Sequence, residues 1–101
     1  MALIECVQFG VLLKAALKKH GMHAVESYPT IYVSYQKDWV LVQMDLKQSH
    51  VTIHPRKEDI ILICPITNEQ VFDFYAPQVA EFIAGMLGAD DMRTQGVSLM
   101  D

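Results

Sequence analysis

The chain has 101 residues, 51% of them apolar or aromatic, and a formal net charge of −4 at pH 7. That length suits one domain with an ordinary core and argues against a second independent one. The acidic balance argues against the summed attraction to phosphate behind most nucleic-acid binding, and two cysteines without CxxC spacing, Cys6 and Cys64, do not make a disulfide-dense secreted scaffold.

The first element is ALIECVQFGVLLKAALKKHG, residues 2–21. Glu5 and Lys14 interrupt its apolar run, so it falls short of the roughly 20 residues of a membrane span, and it lacks the basic start of a secretory leader. It reads as an amphipathic helix of a cytoplasmic protein. At about 100° per residue, Cys6, Phe9, Leu13, Ala16 and Leu17 form one stripe, while Leu3, Ile4, Val7 and Val11 widen the apolar arc beyond what one sheet face needs. That excess marks a partner surface. Gly10 weakens the helix by about 1 kcal/mol relative to Ala but allows another backbone to come close. Lys18, Lys19 and His20 suit the negative end of the helix dipole, and Gly21 suits the position that closes it.

Residues 22–29, MHAVESYP, read as a connector, with Pro29 biasing Tyr28 toward an extended backbone. Three antiparallel strands follow in TIYVSYQKDWVLVQMDLKQSHVTIH, residues 30–54. A tight turn at Lys37 and Asp38 would oppose Tyr35 to Val40, Val33 to Val42 and Ile31 to Met44. A second turn at Gln48 and Ser49 would oppose Leu46 to Val51 and Met44 to Ile53. Side chains alternate between faces, so Ile31, Val33, Tyr35, Val40, Val42, Met44 and Leu46 share an apolar face. Tyr32, Ser34, Gln36, Trp39, Leu41, Gln43, Asp45, His50, Thr52 and His54 share the other, mixed face.

PRKEDI, residues 55–60, is a solvated loop, and IILIC, residues 60–64, is a continuous apolar strand covered on both faces. Coverage of that strand asks for the second helix or another subunit on the mixed face. After Pro65 and a turn at Thr67 to Gln70, residues 71–74 can form a fifth strand. Pro77 then suits the first turn of a helix over 77–87, with Val79, Phe82, Ile83, Met86 and Leu87 on its apolar side and Gly88 past its end. Residues 1–88 thus form a single domain, and 89–101 a flexible tail in which VSLM could pair as an edge strand. The fold class is α+β: a helix, an antiparallel meander of four to five strands and a second helix, arranged as a two-layer sandwich. Whether the two helices share a sheet face is left open.

No GxSxG, GxGxxG or GxxxxGK[ST] motif is present. His50 and His54 lie about 13 Å apart along a strand, too far to share one zinc ion. His20 and His23 lack a third ligand at a recognised spacing, so no metal or cofactor is implied. Both cysteines read as reduced core thiols. Of the Ser, His and Asp residues a nucleophilic site would draw on, Ser34, Asp45, His50 and His54 share this face, where an enzymatic or small-molecule site would sit. Tyr32 and Trp39 with Arg56 and Lys57 would suit single-stranded nucleic acid, but Glu58 and Asp59 cancel the two charges. The expectation is therefore a small non-enzymatic interaction or adaptor module that self-associates, most simply as a homodimer, or binds a protein partner. It would use the helix residues Leu3, Ile4, Val7 and Val11 and the sheet residues Tyr32, Trp39, Leu41, Gln43, Asp45, His50 and His54.

Overall fold

The computed structural model describes residues 3–56, 63–65 and 72–89. Helix α1 (Leu3–Lys19) leads into β1 (His23–Ser27), β2 (Thr30–Tyr35), β3 (Asp38–Asp45), β4 (His50–Pro55) and β5 (Ile63–Pro65), and α2 (Phe72–Leu87) follows. The strands form one antiparallel sheet in chain order, β1-β2-β3-β4-β5. The domain is α+β, as its sequence indicates.

One face of the sheet is the core. Ile31, Val33, Val40, Val42, Met44, Val51 and Ile53 are buried there under Cys6, Phe9, Leu13 and Leu17 of α1 and Phe72, Ala76, Val79, Ala80, Ile83 and Ala84 of α2. Both helices therefore lie on the same side. Phe9 meets Phe72 edge to face at 5.6 Å where the helices touch. Each fully buried Leu, Ile, Val or Phe here is worth about 1.5–3 kcal/mol in surface withdrawn from water.

Both helices end by the same device. Gly21 takes φ 79°, Met22 N–H donates to Leu17 C=O and Gly21 N–H to Lys18 C=O, which closes the free carbonyls of α1 while Met22 and Leu17 bury together. At the end of α2, Gly88 takes φ 81° and Ala89 N–H donates to Ala84 C=O, with Ala89 buried.

Several expectations need correction. Residues 23–27 are a strand, not a connector, and residues 72–74 belong to α2, not to a strand. Because α2 starts at Phe72, Pro77 lies inside the helix, where it denies the Asp73 carbonyl its N–H partner. Both hairpin registers are shifted by two. Ile31 opposes Val42 and Tyr35 opposes Asp38, around a Gln36-Lys37 turn whose first residue has φ 55°. Met44 opposes Val51 and Val42 opposes Ile53. There the Asp45 carboxylate accepts the N–H groups of Lys47 and Gln48 at 2.8 and 2.9 Å, and Ser49 N–H closes onto Asp45 C=O at 2.9 Å. A side chain that organises the four-residue turn 46–49 displaces the expected two-residue one. It also takes Leu46 off the core face and leaves it exposed. A shift of two preserves the alternation of faces, so the rest of the apolar face stands. Residues 57–62, 66–71 and 90–101, including most of the 60–64 strand and the tail, lie outside the described residues.

Candidate functional site

Two surfaces hold the candidate residues. The first is the sheet face opposite the helices, which no described element covers. Cross-strand neighbours there run Val25, Tyr32, Leu41 and His54 in one row, Ser27, Thr30, Gln43 and Thr52 in the next, and Asp45 opposite His50 at one end. Tyr32, 41% exposed, stacks on half-buried Trp39 with ring centres 5.7 Å apart. Leu41 is half-buried beside them, which makes a small apolar centre within a polar surround.

Several of the polar groups on and beside this face already have partners. Thr52 Oγ1 and His54 Nε2 are 2.9 Å apart. The two turn amides and the His50 side chain hold the Asp45 carboxyl below the usual carboxylate range, the Gln48 amide foremost. Arg56 Nε donates to Asp38 Oδ1 at 3.0 Å, so the arginine considered for phosphate contact is already ion-paired.

These residues do not converge on one pocket. Trp39 lines a cavity of about 330 Å³ with Asp38, Arg56 and the end of α2, whereas Gln43, Asp45, His50 and Thr52 line a separate one of about 210 Å³. Ser34 opposes Trp39, six strand residues from Asp45, or roughly 20 Å at 3.3 Å per residue. The Ser34, Asp45, His50 and His54 set is therefore spread along the sheet, beyond the reach of a single proton relay. Among the described residues, no three His, Cys, Asp or Glu side chains come together at metal-binding distance.

The second surface is the outward side of α1. Ile4 is 67% and Val11 59% exposed, and Leu3, Val7 and Leu12 are exposed beside them. Val7, Gln8, Val11 and Leu12 border a shallow cavity with Phe72 and Asp73 at the start of α2, and Phe74 is exposed nearby on α2. Leu12, Phe74 and Val25 were not singled out by sequence. Leu12 lies beside the apolar arc, so its spacing could have found it, but Val25 could be found only with β1 in hand.

Between the two surfaces lies the β1 edge. Gly10 faces the Tyr28 side chain: a Cβ added there would lie 2.8 Å from Tyr28 Cζ. The expected close approach is thus a side chain and not a backbone. Burial raises the Tyr28 hydroxyl pKa, and the Cys6 thiol, on the inward side of α1, is likewise raised by burial. Glu26 pairs with Lys14 Nζ at 2.8 Å, and that bond is the main reason its carboxyl pKa is lowered.

Comparison with protein-family models, curated proteins and solved structures returns no match. No described helix is long and apolar enough to cross a membrane.

Proposed function

We propose that this chain is a small non-enzymatic interaction module that self-associates in the cytoplasm. The observation that carries this reading is the outward apolar stripe of α1: Leu3, Ile4, Val7 and Val11 stay exposed although two helices and a sheet have already built a closed core. Contiguous exposed apolar side chains of this kind are costly to leave in water and mark association surfaces. Cys6 is buried in the core, as a reduced structural thiol would be.

Light scattering on the full chain at tens of micromolar tests the reading. A mass of twice the 11.4 kDa protomer is expected, and 11.4 kDa throughout a dilution series would reject it. The enzymatic and small-molecule readings have less support, because Ser34 lies roughly 20 Å along the sheet from Asp45 and because Trp39 and Asp45 line separate cavities. A nucleic-acid reading has the Tyr32 and Trp39 stack in its favour, but Arg56 is held by Asp38, and Lys57 lies outside the described residues.

A further inference from the structure

The β1 edge of the sheet carries backbone groups whose direction can be worked out from one hydrogen bond. Met44 N–H donates to Pro29 C=O at 2.9 Å, while Thr30 and Gln43 stand opposite each other. A bond between the residues flanking a cross-strand pair marks that pair as non-hydrogen-bonded, so the next pair, Ile31 and Val42, exchanges both bonds. The N–H and C=O of Ile31 therefore point toward β3. Glu26 opposes Ile31 from the other side, so its own N–H and C=O point away from β2, toward the free edge. By alternation Ala24 does the same. Among the described residues no strand lies beyond β1, and a row of outward amides and carbonyls is a template for another strand.

We propose that β1 pairs antiparallel with β1 of a second copy about a two-fold axis at Val25, which joins the two sheets into one. This rests on the self-association reading and names its geometry. Centring on Val25 places all five β1 residues in register. Ala24 and Glu26 of the second copy then exchange both backbone bonds, as do their symmetry mates, and the two Val25 side chains meet on the open face, where Val25 is 65% exposed. Centring on Glu26 would instead set two carboxylates against each other. Charge also favours the Val25 register. Lys18 lines the cavity at the end of α1 with His23 and Ala24, and Ala24 of one copy stands opposite Glu26 of the other, so Lys18 of each copy is carried toward the Glu26 carboxylate of its mate. Lys14 lies about a quarter turn from the buried stripe of α1 and leans out to Glu26. That places α1 inboard of the edge, with Leu3 and Val7 on the same side of the helix as Lys14.

Two variants of the full chain test the arrangement against wild type. Ala24→Pro removes an outward N–H without touching the β1-β2 ladder, and is expected to reduce the light-scattering mass from twice 11.4 kDa to 11.4 kDa while circular dichroism and cooperative melting persist. Val25→Cys is expected to form a covalent dimer on mild oxidation, because opposed side chains of a non-hydrogen-bonded pair are close enough to bridge; wild type controls for Cys6 and Cys64, and Lys47→Cys, at an exposed position in the 46–49 turn, for chance collision. A dimeric wild type whose Ala24→Pro variant stays dimeric and whose Val25→Cys does not cross-link would overturn the β1 pairing and leave self-association standing. A monomeric wild type would overturn both. If Ala24→Pro does not fold, the Val25→Cys cross-link decides alone.

Discussion

Substituting Gly10 tests whether the packing between α1 and the turn before β2 is as tight as it looks. In isolation Gly10→Ala should stabilise a helix interior by about 1 kcal/mol. The added Cβ, however, would fall 2.8 Å from Tyr28 Cζ and closer still to the ring edge, so the half-buried Tyr28 ring must move. Overpacking of this kind costs about 1–3 kcal/mol, and the net effect is a loss of about 1 kcal/mol, or about 4–8 °C in a domain of this size. In a Tyr28→Ala background the obstacle is gone, and the same substitution should stabilise by about 1 kcal/mol. The cycle of four proteins, measured by urea denaturation, should thus show a coupling of about 2 kcal/mol between the two positions. Equal stabilisation by Gly10→Ala in both backgrounds would refute the packing argument.

Gly88→Ala provides the contrasting case: nothing lies within 4 Å of a Cβ there, but φ is 81°, so strain alone should cost about 1–2 kcal/mol, read as a lower denaturation midpoint. Phe9→Ala, which empties a fully buried site against Phe72, should cost about 3–5 kcal/mol and is checked by the same titration. The folded state lowers the Asp45 pKa, so its contribution is present above the unfolded carboxylate pKa of about 3.9 and is lost as pH falls through the folded value. Asp45→Ala should therefore lower the urea midpoint at neutral pH and differ progressively less from wild type in acid; a constant difference across pH would remove Asp45 as the organiser of the turn.

The core was legible in the sequence because its signal is redundant. Alternation in 30–54 assigns faces even when each turn is misplaced, since both shifts are even. The turns themselves were not legible: the Asp45 carboxylate competes with the expected Gln48-Ser49 turn, and Gln36 and Ser49 adopt positive φ without the Gly or Asn that would advertise it. β1 escaped notice because HAVES carries no alternating apolar pattern, and its inward residues, Ala24 and Glu26, are small or ion-paired. The start of α2 was obscured by VFDF, whose aromatic content resembles a strand, and by Pro77, which is tolerated inside the helix at a cost instead of opening it. The α1 surface followed directly from helical period. The sheet face was correctly grouped by parity, but its division between two cavities depends on where the strand ends meet α2 and the loops.

Strand order that matches chain order has a consequence for how the domain forms. Each strand pairs with its sequence neighbour, so the whole sheet can grow by local hairpin closure, the kind of contact that forms quickly. Only the meeting of α1 and α2, sealed where Phe9 meets Phe72, requires the two ends of the described chain to find each other. Folding should therefore be limited by that docking step: truncating Phe9 or Phe72 would slow refolding in proportion to how far the helices have met in the transition state, whereas weakening the 46–49 turn would act on an earlier event.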